Sequence, residues 1–325
     1  MRDTSGMTGL WRAGGGLLLL PGCSGIQSAL DPAGFEAAEL ARLFWVMLAA
    51  GTVIWLLMLA LSLHAARRRA RPWSPRAAGR LILWGGAVVP TLLLAVLLVY
   101  GLVLMPALRA PGGPLLVEVE AEQFWWRVRY HPPGGAPVVS ANALRLPHGE
   151  RVELRLSARD VIHSFWIPNL AGKMDMIPGR TNRLVLEPRK AGLYRGACAE
   201  FCGASHALMA FEVEVMEPAD FAAFLAREAA PATAAGPGRE AFLKHGCGAC
   251  HSVRGTPARG VIGPDLTHLG GRRGLGAGIL ENTAAQRAAF IARVGQIKPA
   301  ARMPDYAMLP RGELEAIAGW LGDLR

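Results

Sequence analysis

Two stretches of this chain, Leu43 to Leu63 and Leu81 to Leu108, contain no charged side chain. Each is longer than the ~20 apolar residues a helix needs to cross ~30 Å of hydrocarbon. A buried helical hairpin in a soluble protein is the alternative, and composition weighs against it. The 325 residues are 52% hydrophobic and only 18% charged, too apolar for a soluble enzyme and too mixed for a pure membrane bundle. Pro90 falls inside the second run, which a membrane helix tolerates when its neighbours re-satisfy the freed carbonyl. Arg67, Arg68, Arg69, Arg71, Arg76 and Arg80 crowd between the two runs. The positive-inside bias keeps such a loop cytoplasmic, so the N-terminus and everything beyond Leu108 should lie outside. The net charge of +10 therefore points to membrane topology and anionic lipid, and no nucleic-acid partner is expected.

The rest of the chain divides by pattern. Residues 1–22 carry Arg2, Arg12 and Leu17 to Leu20, and read as a signal segment. Their end, Leu20-Pro21-Gly22-Cys23, is similar to a lipoprotein signal and makes Cys23 a lipidation candidate, with an ordinary signal and a bystander thiol as the alternative. Residues 23–110 then hold the N-terminal segment and the hairpin, with helices at about 43–63 and 81–108. After Pro111-Gly112-Gly113-Pro114, period-two alternation, as in Arg151-Val152-Glu153-Leu154-Arg155-Leu156, predicts an antiparallel sandwich or barrel over 115–220. Asp220 to Arg227 reads as a short helix. Residues 229–237 are rich in Ala, Pro and Gly, and read as a flexible linker. Residues 238–325 have helical periodicity at both ends, Arg239 to His245 and Arg311 to Leu324, around a Gly-rich middle.

Four of the five cysteines form two tight pairs, Cys198/Cys202 and Cys247/Cys250, a spacing that suggests metal more than a disulfide scaffold. The first pair lies in Cys198-Ala199-Glu200-Phe201-Cys202-Gly203-Ala204-Ser205-His206-Ala207-Leu208-Met209. Two thiolates, an imidazole and a thioether form a soft ligand set that favours copper over calcium, magnesium or manganese. A disulfide or half a zinc site is the plainer reading of Cys-x3-Cys alone. A second histidine would have to come from elsewhere, and Asp160-Val161-Ile162-His163-Ser164 supplies a candidate in His163.

This string resembles the binuclear copper (CuA) loop of subunit II of haem-copper cytochrome c oxidases. The order of two helices, Gln123-Phe124-Trp125-Trp126, Asp160-Val161-Ile162-His163-Ser164 and Lys173-Met174-Asp175 is similar to that family over residues 36 to about 220. The resemblance implies a cupredoxin-like domain in which Cys198 and Cys202 bridge two coppers. His163 and His206 would be terminal ligands, with Met209 and the carbonyl of Glu200 as weak axial ligands. It further implies that the Glu200 side chain reaches a magnesium or manganese site at the subunit I interface, where Lys173 and Asp175 would also lie. In the family a tryptophan at the first aromatic place of the Gln123 string receives electrons from soluble cytochrome c. Phe124 stands there instead, followed by Trp125 and Trp126, which as large rings in a strand could equally be core. The family's acidic proton-channel residue near the start of the second helix has no counterpart between Leu81 and Trp84. His64, His131 and His148 are read as surface or interfacial histidines.

Cys247-Gly248-Ala249-Cys250-His251 is the c-type haem attachment pattern, two thioether cysteines followed by the proximal histidine. A zinc knuckle or a redox dithiol is the alternative. Residues 237–325 resemble class I c-type cytochromes. In those proteins the carbonyl of a proline placed as Pro264 orients the proximal histidine. A methionine placed as Met303 supplies the sixth iron ligand, and His/Met ligation raises the haem potential. Met308 is the second candidate. Trp320 is expected in the core, and His245 and His268 facing solvent, with His268 able to approach a haem propionate.

The resemblances together imply a multi-domain membrane protein: a two-helix transmembrane hairpin, an all-β cupredoxin-like CuA domain and an all-α class I cytochrome c domain. It would sit in a bacterial inner membrane with its folded parts on the outer face. It would carry electrons from cytochrome c or an upstream respiratory complex through haem c and CuA to subunit I, in a complex with subunit III. Dioxygen would be reduced on the partner and no catalytic residue would lie on this chain. A nitric oxide reductase with a CuA subunit and a membrane-anchored, non-enzymatic copper and haem carrier are the rival readings.

Overall fold

A computed structural model describes residues 22–67 and 73–325. The signal segment up to Pro21 and Arg68, Arg69 and Arg71 of the basic loop lie outside the described residues. The first apolar run forms helix α1, Phe35–Arg67, and the second forms α2, Pro75–Arg109. Both extend beyond 43–63 and 81–108, because the polar flanks continue the helices; Glu39 and Arg42, for example, pair at 2.7 Å one turn into α1. Ile82–Val88 is wound as a π-helix, immediately before Pro90, which has no amide hydrogen to continue the regular ladder.

The large side chains of this hairpin are exposed along its length, Val53 at 65% and Val103 at 73%. Such a continuous apolar face is stable in hydrocarbon rather than in water. Its few polar groups are satisfied within their own helix, Thr52 Oγ1 donating to Leu48 O and Ser62 Oγ to Met58 O. The chain is thus a membrane-anchored one. The start of α1 and the end of α2 are both tied to the β-rich part: Phe35 N donates to Glu187 O, and Arg183 donates to Arg109 O. The opposite ends, Arg67 and Pro75, carry the basic flanks, as a hairpin with one charged turn requires.

Residues beyond the hairpin build a cupredoxin-like sandwich. Its strands are β1 (Leu116–Glu122), β2 (Trp125–His131), β3 (Val138–Ala141), β4 (Ala143–Pro147), β5 (Val152–Ala158), β6 (His163–Trp166), β7 (Met174–Met176), β8 (Asn182–Leu186), β9 (Gly192–Cys198) and β10 (Ala210–Met216). One sheet has the order β3-β2-β1-β5-β8 and the other β4-β10-β9-β6-β7. The strands that matter for the site are β2, β6, β9 and β10. Alternation does what period two demands: in β1, Leu116–Glu122, burial alternates along the strand. The inward faces of both sheets merge into one core around Trp126, Leu154, Phe165 and Phe211. Helix α3, Pro218–Ala229, closes one side with Phe221 and Phe224 against Tyr130.

The C-terminal part has its own core around Phe242, Val253, Ile317, Trp320 and Leu321. Helices α4 (Pro237–Lys244) and α5 (Arg311–Asp323) cross there, with Phe242 and Trp320 ring centroids 5.1 Å apart. The stretch 229–237 is not the free linker its composition suggests. Ala232 N donates to Arg254 O, Trp320 Nε1 donates to Ala234 O, and Ala232 is buried. Small side chains let this backbone lie flat on the helical core and use its polar groups there. His268 also departs from expectation: it is buried, with Nε2 facing Ala230 O at 3.0 Å, because that packed stretch covers it. His245 is half-buried and pairs with Glu313.

Candidate metal centres

The first cluster sits where β6 and β9 run side by side. Phe165 pairs with Cys198 across the two strands, which fixes His163 and Cys198 at one end of the sheet. The loop after β9 then returns Cys202 and His206 before β10 begins, and it is closed by Met209 N donating to His206 O and Cys198 N donating to Met209 O. Cys198 and Cys202 Sγ are 3.8 Å apart as free thiols, far beyond the ~2.05 Å of a disulfide. Around them, His163 Nδ1 is 3.8 Å from Cys198 Sγ, and His206 Nδ1 is 3.6 Å from Cys202 Sγ. Met209 Sδ is 3.9 Å from Cys202 Sγ, and Glu200 O is 3.2 Å from Cys198 Sγ. All six expected donors therefore converge on one small volume. The ligand-bearing parts of His163, Cys198 and Cys202 are buried and lie within 4.8 Å of one another.

The surroundings prepare these atoms for metal. Asp160 Oδ1 lies 2.9 Å from His163 Nε2. A carboxylate only accepts, so Nε2 carries the proton and Nδ1 keeps its lone pair toward the thiols. Asp160 is itself held by the backbone N–H of Gln123 at 2.8 Å. The thiol of Cys202 and the imidazole of His163 pull the Cys198 pKa down to about 3, whereas Cys202 is raised by the thiolate beside it. Burial works against a charged His163, but its hydrogen bonds to Cys198 and Asp160 raise its pKa. A cation that replaces the shared protons is what this arrangement favours, and the donor set fits soft copper.

The aromatic string divides its duties. Trp126 is core, packed edge-on to Phe165 and Phe211 and with its ring 6.4 Å from that of His163. Trp125 is half-buried under the Arg127 guanidinium. Phe124 is buried against Gly203 of the thiol loop, where φ is +128° and an added Cβ would meet the ring at 3.2 Å. Gln123 reaches the same loop, Nε2 donating to Cys202 O at 2.6 Å. Lys173, Asp175 and Glu200 are exposed at this end of the sandwich, and Cys23 is exposed near the N-terminal end of the described chain.

The second cluster is a cavity of about 210 Å³ lined mostly by apolar groups, with Cys247, Cys250, His251 and Met303 in its wall. His251 Nδ1 is 2.9 Å from Pro264 O. A carbonyl only accepts, so Nδ1 carries the proton and Nε2 remains free as a ligand. Burial lowers the His251 pKa and keeps the ring neutral. Gly263 makes room for this ring, since a Cβ there would stand 2.5 Å from His251 Cε1. Met303 faces the cavity while Met308 is 75% exposed. The acid and base content of the wall is lopsided: Arg272, Arg287, Lys298 and Arg302 stand against Glu122 alone. The residue types present, two thiols, a neutral imidazole, a thioether and an apolar wall with excess basic side chains, are those the c-type haem reading of the sequence calls for.

The two clusters share a border. Ser205 Oγ, beside His206, donates to Pro299 O at 2.6 Å. Arg302, beside Met303, binds Glu122 Oε1 at 2.9 Å and approaches Asp160 Oδ2 at 3.7 Å. Phe124 and Trp125 also line the cavity. Asp160, Gln123, Ser205 and Arg302 had no role assigned from sequence. Only Asp160, three residues before His163, carried a readable signal; the others are joined by the fold.

A family model described as "Cytochrome C oxidase subunit II, periplasmic domain" matches residues 136–216. "Cytochrome c oxidase subunit 2" of Alkalihalophilus pseudofirmus is 31% identical over 330 residues, covering 95% of this chain and 94% of that protein. The protein of the same name from Bacillus subtilis is 31% identical over 264 residues, 73% of each chain. Among solved structures, the periplasmic domain of subunit II of cytochrome oxidase from Bradyrhizobium japonicum is 27% identical with a TM-score of 0.34, covering 37% of this chain and 99% of that one.

Proposed function

The chain belongs to the cytochrome c oxidase subunit II family, and from that premise we propose that it accepts electrons for an aerobic terminal oxidase through two centres of its own, binuclear CuA and covalent haem c. As a subunit of an oxidoreductase complex it works with other oxidase subunits; we assign these as subunits I and III, with dioxygen reduced to water on subunit I. The donor is cytochrome c or an upstream respiratory complex. The folded parts beyond α2 would stand on the periplasmic face of the inner membrane, where Cys23 is a lipidation candidate. Haem c would be held by Cys247, Cys250, His251 and Met303, and CuA by His163, Cys198, Glu200 O, Cys202, His206 and Met209. When bound, each group supplies a one-electron centre.

The chain's residues then have definite tasks. Asp160 holds the His163 ring in the tautomer that presents Nδ1. Gln123 holds the thiol loop at Cys202 O and Ser205 ties it to Pro299 O, and the buried Phe124 keeps water out of the border between the centres. Pro264 O orients His251. The exposed side chain of Glu200, with Lys173 and Asp175 nearby on the surface, is left for contacts with subunit I and a magnesium or manganese ion. The observation that carries the reading is the convergence of four donors, His163, His206, Met209 and Glu200 O, around the two thiols of a loop that Ser205 joins to Pro299 beside the His251 cavity.

The test is to purify the complex with its partners intact and record metal content, visible and near-infrared spectra and dioxygen uptake. Two coppers in this subunit, a haem that stays attached on a denaturing gel and dioxygen consumption are expected. Nitric oxide reduction without dioxygen uptake would transfer the same subunit to a different enzyme, and a subunit with no catalytic partner would leave only a carrier.

A further inference from the structure

Lys298 is a buried charge with little compensation among the described residues. It is 4% exposed, and its ammonium group donates to a single backbone carbonyl, that of Gly276. Burial pushes its pKa down to about 7, with the Cys202 thiol the acidic group that opposes this. Among the described residues it has no carboxylate partner. A buried ammonium with one neutral acceptor is expensive unless an anion joins it.

The other cations of the same wall are already engaged. Arg302 binds Glu122 and approaches Asp160. Arg287 donates to Asn282 and to Ala318 O. Arg272 donates to Asp265 O; burial lowers its pKa, and the charges of Glu228 and Asp265 oppose that in part. Glu122, the acid of the wall, is held by Arg127, Arg159 and Arg302. Among the described residues, no carboxylate of the cavity wall is left to pair with Lys298.

The position of the residue narrows what does. Lys298 precedes Pro299, whose carbonyl accepts from Ser205 of the thiol loop, and it lines the cavity that holds Cys247, Cys250 and Met303. We infer that Lys298 pairs with one carboxylate of the haem in this cavity, on the wall shared with the copper-ligand loop. The inference rests on the haem c reading above. Lys298 is a positioning residue: it anchors the edge of the cofactor that faces the copper cluster, and its charge offsets that of the carboxylate beside the iron. A cation near the iron disfavours the ferric state, so removing it lowers the midpoint potential.

The experiment uses the purified complex carrying Lys298→Met, Lys298→Gln or Lys298→Arg, with equilibrium redox titration of the haem band and of the copper near-infrared band. The expected result is a downward shift of the haem potential in K298M and K298Q, restoration towards the wild-type value in K298R, and a copper band unchanged in all three. An unmoved haem potential overturns the inference. So does a shift confined to copper, which would make the thiol pair the anion Lys298 serves. K298Q keeps a hydrogen-bond donor of similar length to Gly276, so it reads the charge even where K298M fails to assemble. A wild-type complex with no haem-stained band overturns the haem reading and this inference together, whereas a stained band with an unmoved K298Q potential overturns this inference alone.

Discussion

The two candidate centres are built in opposite ways. The copper cluster is assembled by the chain alone: thiols, imidazoles and thioether stand within 4 Å of their neighbours, gripped by β6, β9 and the start of β10. The second cavity is lined by residues from Phe242 to Leu321 together with Glu122 to Trp125 and Asn142 of the sandwich, and on the reading proposed above it is shaped around a haem that the chain does not supply. A small ion needs a few atoms in fixed places, which a rigid sheet end and a short loop provide. A macrocycle needs a lined hole, and becomes part of the core it completes. Errors should therefore act locally at the copper cluster and more diffusely at the haem.

The largest expected effect breaks the local side. Cys202→Ser removes a bridging donor, and loss of the near-infrared band together with a drop in electron transfer beyond about 100-fold is expected, since even partners behind the ligands are worth 10–100-fold. The covalent haem band should survive, as the cavity's own core does not include Cys202. Loss of both would show that the two centres fold as one. Next, Met303→Ala should lower the haem midpoint potential and abolish the sulfur-to-iron charge-transfer band, while Met308→Ala, on an exposed side chain, leaves both unchanged. Equal behaviour of the two variants would refute the assignment of the sixth ligand.

Asp160→Asn tests the orienting carboxylate. It keeps size but weakens the hold on the His163 ring, and copper affinity should fall by about 10-fold or more, read by competition with a copper chelator. Retained affinity would leave Asp160 with its contacts to Gln123, Val161 and Arg302 and no role in holding the ligand ring. The smallest effect sharpens the border itself: Ser205→Ala removes one hydrogen bond to Pro299 and should lower stability by about 1 kcal/mol, seen in denaturant unfolding. A concurrent shift of both midpoint potentials would show that this bond transmits more than stability.

Much of this was legible in the residues because the chemistry is local in the chain. The membrane hairpin follows from two uncharged runs, and the thiol loop places Cys198, Cys202, His206 and Met209 on one short segment whose only geometry is to fold back on itself. The same holds for Cys247, Cys250 and His251. Other features could not be read so. The stretch 229–237 looked free because its residues are small, and smallness is also what lets it lie against Trp320 and bury His268. Trp125 and Trp126 are alike in sequence terms, adjacent rings in one strand, yet Trp126 packs in the core of the sandwich and Trp125 lines the second cavity.

The sequence by itself determined the kinds of atoms available and the spans that must cross a membrane, since ligand softness and hydrocarbon thickness act on composition and spacing. Only the tertiary structure decided which groups meet across the chain: Asp160 with Gln123 and Arg302, Ser205 with Pro299, and Lys298 with no carboxylate among the described residues. The physical reason is that hydrogen bonds and charge compensation depend on distances of a few ångströms, and those are set by how two separate cores are pressed together rather than by order along the chain.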